Sequence, residues 1–65
     1  SGERTLVLDV KGLQFLESSG LAVFLNLREK VGTDQRIRIV GCQDVVYKSL
    51  ELAQFGRLFD LQKAG

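Results

Sequence analysis

Leu13-Gln14-Phe15-Leu16-Glu17-Ser18-Ser19-Gly20-Leu21 is the stretch whose reading decides this chain. It reads as the loop after a strand, feeding two serines and a glycine into a helix. Unpaired backbone N–H groups and the positive end of the helix dipole gather at such a start. A hydroxyl there can cap the helix, hold an anion or accept a phosphate.

Upstream, Thr5-Leu6-Val7-Leu8-Asp9-Val10 is a short apolar run, the pattern of a buried strand. Lys11-Gly12 is a turn signal, and Leu13 and Phe15 are the expected apolar anchors of the loop. Downstream, a helix is predicted from about Ser18 to Val31. Its 3.6-residue stripe puts Gly20, Val23, Phe24, Leu27 and Val31 on the core face. Leu21 and Leu25 form a second apolar ridge beside it, with Arg28 on the same side. Gly32 is placed to end the helix.

Arg36-Ile37-Arg38-Ile39-Val40 reads as a second strand and Gly41-Cys42-Gln43 as the turn out of it. A second helix is expected from Asp44 into the Ala53–Phe55 region, with Val46, Leu50 and Ala53 inward. Leu58-Phe59-Asp60-Leu61 reads as a third strand. The fold class is therefore α/β, ordered β-α-β-α-β with a small, mainly parallel sheet. All-parallel sheets are normally covered on both faces, and two helices are little for that.

The 65 residues allow one domain. A chain of this size buries only about 60% of its unfolded surface, so its core is small. Apolar residues make up 45%, which indicates a globular chain. With one cysteine and no histidine, neither a disulfide nor an ordinary zinc site can form, and the composition fits a reduced, cytoplasmic setting. Net charge is +1 with the basic residues scattered, which gives no electrostatic reason for nucleic-acid binding. No run approaches the ~18 apolar residues of a membrane span, so membrane insertion is not expected. Ser1-Gly2 resembles the remnant of a cleaved tag.

At this point the residues resemble a known family. Val7-Leu8-Asp9-Val10-Lys11-Gly12-Leu13-Gln14-Phe15-Leu16-Glu17-Ser18-Ser19-Gly20-Leu21 looks like the signature of the STAS domain. That domain is shared by anti-sigma factor antagonists and the cytosolic tails of sulfate transporters. Leu50-Glu51-Leu52-Ala53-Gln54-Phe55 through Arg57-Leu58-Phe59 resembles the family's second half, and residues 5 to about 61 match in one register. The resemblance implies a mixed sheet and protein–protein regulation without catalysis. In anti-sigma factor antagonists the first serine of the signature is phosphorylated by a kinase that is also the anti-sigma factor; the unphosphorylated form binds that partner. The matching position is Ser18.

The chain departs from the pattern in three places. Glu17 stands where the family usually has Asp. Gln54 stands where glycine is common, which would let the second helix run on. The strands and helix that usually precede Thr5 are not in the sequence, so residues 1–65 read as a single truncated or minimal domain.

The expected partner-binding set is Glu17, Ser18, Ser19, Gly20, Leu21, Leu25 and Arg28, with Ser18 the phosphorylation site. The bland readings are an N-cap for Ser18, close packing of helix on strand for Gly20, and burial for Leu21 and Leu25. Cys42 reads as a small buried hydrophobe; Asp9, Asp44 and Asp60 read as element-end residues. No catalytic or metal-binding constellation and no cofactor is expected. The expected partner is a protein resembling an anti-sigma factor kinase, alongside self-association through exposed sheet or helix surface. Two other readings stand beside this one. One is a minimal or designed α/β unit with no activity of its own. The other is nucleotide or anion binding at the same helix start, without the glycine patterns of dedicated phosphate sites.

Overall fold

Alternation in the middle strand organises the molecule. In the computed structural model, which describes residues 4–32 and 34–65, Ile37 and Ile39 are buried while Arg36 and Arg38 are exposed. Strands β1 (Arg4–Asp9), β2 (Gln35–Cys42) and β3 (Asp60–Lys63) form one parallel sheet in the order β1-β2-β3. The linking helices are α1 (Ser18–Val31) and α2 (Asp44–Leu52), and a 3-10 turn at Phe55–Arg57 precedes β3. The fold is α/β, in the expected order.

Two right-handed crossovers that step the same way across a sheet put both helices on one face. Burial agrees. Leu6, Leu8 and Leu61 pack with Ile37 and Ile39 against the core, whereas Thr5, Val7, Asp9, Arg36, Arg38 and Asp60 are exposed. Leu8, Ile39 and Leu61 stand in one row, and Val7, Arg38 and Asp60 in the next. The second face is uncovered by any described element. The all-parallel expectation of two covered faces gives way because every outward position except Val7 and Val40 is polar. Among the described residues β1 is accordingly an amphipathic strand at one end of the sheet, not the fully buried Thr5–Val10 run expected, and Val10 is buried just past its end. Ser1-Gly2 lies outside the described residues.

The core consists of Val10, Ile37, Ile39, Cys42, Val46, Leu50, Phe55 and Phe59. Helix α2 buries Val46 and Leu50 completely, but α1 buries no residue fully. Val23, on the expected core stripe, is 65% exposed. Helix α1 is rolled toward the second half of the chain, where the Phe24 ring meets Phe59 edge-on at 6.1 Å between centroids. That roll brings Leu21 onto the core and turns Val23 out.

Several boundaries differ from expectation. Gly41 and Cys42 belong to β2, because Ala64 N–H donates to the Cys42 carbonyl at 2.8 Å and Cys42 pairs with Lys63. An irregularity between Ile39 and Cys42 is absorbed at Gly41, with φ +74°, where a Cβ would stand 2.9 Å from Asp9 Oδ1. The third strand starts at Asp60; Leu58 and Phe59 still belong to the preceding turn, where Phe59 N–H donates to the Phe55 carbonyl. Helix α2 does not run on past Ala53. Gln54 takes the left-handed conformation (φ 61°, ψ 30°) that a glycine would take more easily.

Candidate partner-binding site

The path into α1 is set by Asp9, whose carboxylate accepts the Lys11 N–H at 3.0 Å and closes the turn after β1. Leu13 N–H then donates to the Val10 carbonyl at 2.9 Å. The loop is anchored by Val10 and Leu16, not by Leu13 and Phe15. Phe15 is 62% exposed, and Leu13 is also exposed. Period-free loop residues give no signal of which side chain turns inward, so the sequence chose the wrong pair.

Glu17, not Ser18, is the N-cap residue, and its side chain makes no capping bond. Its carbonyl accepts the Leu21 N–H at 3.1 Å, the first bond of the helix. Ser18, Ser19 and Gly20 are the first three helical residues, and no acidic side chain lies among them. This leaves a helix start whose leading N–H groups have no side-chain oxygen on them. Leu16 and Leu21 occupy the two positions of a hydrophobic staple, and both pack on the core. Gly20 packs closely, but against the loop rather than a strand. A Cβ there would stand 2.7 Å from Leu16 Cδ1.

At three- and four-residue spacing, Ser18, Leu21, Leu25 and Arg28 follow one another along a single flank of α1. Ser18 and Ser19 are exposed, Leu21 is half-buried, and Leu25 is 40% exposed. At the far end, the half-buried Arg28 guanidinium is engaged with backbone. It donates to the carbonyls of Gly32, of Gln35 at 2.5 Å and of Leu58 at 3.2 Å. Arg28 thus fastens the end of α1 to β2 and to the turn before β3. The tie to its carbonyl brings Leu58, 40% exposed, to the end of the ridge. The sequence gives no signal for Leu58 here, because Leu58-Phe59-Asp60-Leu61 reads as a strand.

Cys42 is buried, and burial pushes its thiol above the ordinary value, with a smaller opposing pull from the Gln62 backbone. A thiol held neutral is a core residue, not a nucleophile. Among the described residues no group of three or more His, Cys, Asp or Glu comes together. Nor is any helix among them long and apolar enough to cross a membrane.

The STAS domain family model matches residues 1–64. No curated protein and no solved structure matches the chain. With the signature at the α1 start and the match running nearly end to end, the chain belongs to the STAS domain family.

Proposed function

We propose that this STAS domain is a non-enzymatic regulatory module of the anti-sigma factor antagonist type. It binds a protein partner through the Ser18–Leu25 flank of α1 and is released by phosphorylation of Ser18. The observation that carries this reading is the uncapped helix start. Ser18 is exposed at the first helical position, and the Glu17 side chain leaves the leading N–H groups open. A phosphate there carries about −1.5 to −2 charge and meets the positive end of the dipole. The modification is therefore accommodated without unfolding the helix, while it changes the charge beside Leu21 and Leu25. Exposed Leu25 and Leu58, with Glu17 and the serines as polar rim, fit an apolar-centred contact. Arg28 supports this flank by fixing α1 rather than by reaching outward.

Incubation with an anti-sigma factor kinase and ATP, followed by intact-mass and fragment analysis, tests the assignment. One phosphoryl group on Ser18 is expected, and none on the Ser18→Ala chain. Modification at Ser19 or Ser49 instead would overturn the assignment of Ser18.

A further inference from the structure

Two residues one turn apart on α1 hold two successive residues of the turn before β3. The Phe24 ring meets the Phe59 ring edge-on at 6.1 Å, and Arg28 Nη1 donates to the Leu58 carbonyl at 3.2 Å. Leu58 N–H donates to the Phe55 carbonyl at 3.0 Å, so both backbone polar groups of Leu58 are engaged. Its side chain, 40% exposed, is therefore presented from a fixed backbone. The other terminal nitrogen, Arg28 Nη2, donates to the carbonyls of Gly32 and Gln35. The guanidinium thus divides its bonds. Nη2 closes the end of α1 onto the start of β2, and Nη1 alone reaches the turn. A planar guanidinium keeps these two nitrogens in a fixed fork. The carbonyls that hold Nη2 consequently fix where Nη1 can hold Leu58. Leu25 lies three residues before Arg28 on the same flank and is also 40% exposed.

We infer that Arg28 is a positioning residue for partner binding. It seats Leu58 at the end of the α1 flank, so that Leu25 from the helix and Leu58 from a separate segment meet the partner as one apolar surface. This role rests on the proposed partner binding, and it adds to that reading a second contact segment and the residue that places it. Apolar groups at the centre of a contact act together only if they reach the facing surface at the same time. A turn already fastened by Arg28 loses little freedom on binding, whereas a freed turn must first be ordered. The buried Phe59 anchors the turn to the core but does not orient the Leu58 carbonyl, which Arg28 alone accepts among the described side chains.

Arg28→Lys separates the two tasks. A single ammonium can stay with the Gly32 and Gln35 carbonyls but has no second nitrogen for Leu58. The test is calorimetric titration of an anti-sigma factor kinase with the parent chain, Leu58→Ala, Arg28→Lys and the double variant. It is run at a temperature where circular dichroism shows each of them folded. Leu58→Ala and Arg28→Lys should each bind at least about fivefold more weakly than the parent. The double variant should bind no more weakly than the weaker single variant, because both changes act through Leu58. A merely structural role for Arg28 would instead multiply the two losses. Leu58→Ala trims an exposed side chain and leaves the backbone bonds in place, so it reads out even if Arg28→Lys fails to fold. Parent-like affinity of either single variant, or losses that multiply, overturns the inference while the proposed function stands. A parent chain that the kinase does not bind overturns both.

Discussion

Leu16 stands against Gly20: its Cδ1 lies 2.7 Å from where a Cβ on that glycine would be. The contact joins the loop to the first turn of α1, so it sets how Glu17 and Ser18 are presented. The obstructing atom is the tip of a flexible side chain. Gly20→Ala should therefore displace Leu16, offset by a helix-propensity gain of up to about 1 kcal/mol. The expected result is a stability within about 1 kcal/mol of the parent in urea unfolding. Gly20→Val should cost about 1–3 kcal/mol, because a branched side chain cannot be absorbed there. Equal stability of the two variants would show that the close approach is unimportant.

Arg28 binds three backbone carbonyls from three segments. Arg28→Ala should cost about 2–3 kcal/mol, read as a lowered urea midpoint, because charge-assisted bonds are lost and carbonyls left unpaired. Arg28→Lys should recover less than half, since a compact ammonium lacks the planar fork. Full recovery by lysine would contradict the fastening role.

Gln54 holds a left-handed conformation between α2 and the 3-10 turn. Gln54→Gly should stabilise the chain by about 0.5–1 kcal/mol, because the Cβ penalty outweighs the added freedom of the unfolded chain. A lowered melting temperature would show that the side chain contributes more than its backbone strain costs.

The Cys42 thiol titrates above the ordinary value of 9.0 because it is buried. As pH rises past the unfolded thiol's value, the unfolded chain gives up this proton while the folded chain keeps it. Stability from this group is therefore fully present below about pH 9 and is lost as pH climbs through the folded value. Cys42→Ala should flatten that alkaline decline in a comparison of unfolding midpoints at pH 7 and pH 10. An unchanged decline would place its cause elsewhere.

Periodicity places α1 at about Ser18 to Val31, where it lies, because apolar spacing and Gly32 both mark it. It could not fix the helix's rotation. The roll that exposes Val23 comes from Phe59, more than thirty residues away in the chain. Likewise Leu16 and Phe15 are indistinguishable as loop anchors until the core exists. The Glu17–Gly20 helix start was legible as a stretch, but not which residue caps it. Ser18 is the usual capping type, yet it is the first helical residue, and the cap position belongs to Glu17, whose side chain makes no capping bond. The open sheet face was written in the alternation of Arg36-Ile37-Arg38-Ile39, a pattern more typical of sheets with one solvated side.

The most direct test of control by Ser18 is calorimetric titration of an anti-sigma factor kinase with two forms of this chain, unmodified and carrying phosphoserine at position 18. The unmodified chain should bind, the phosphorylated chain should bind at least about tenfold more weakly, and both should melt at similar temperatures. Equal affinity of the two forms, or loss of binding through unfolding of α1, would contradict it.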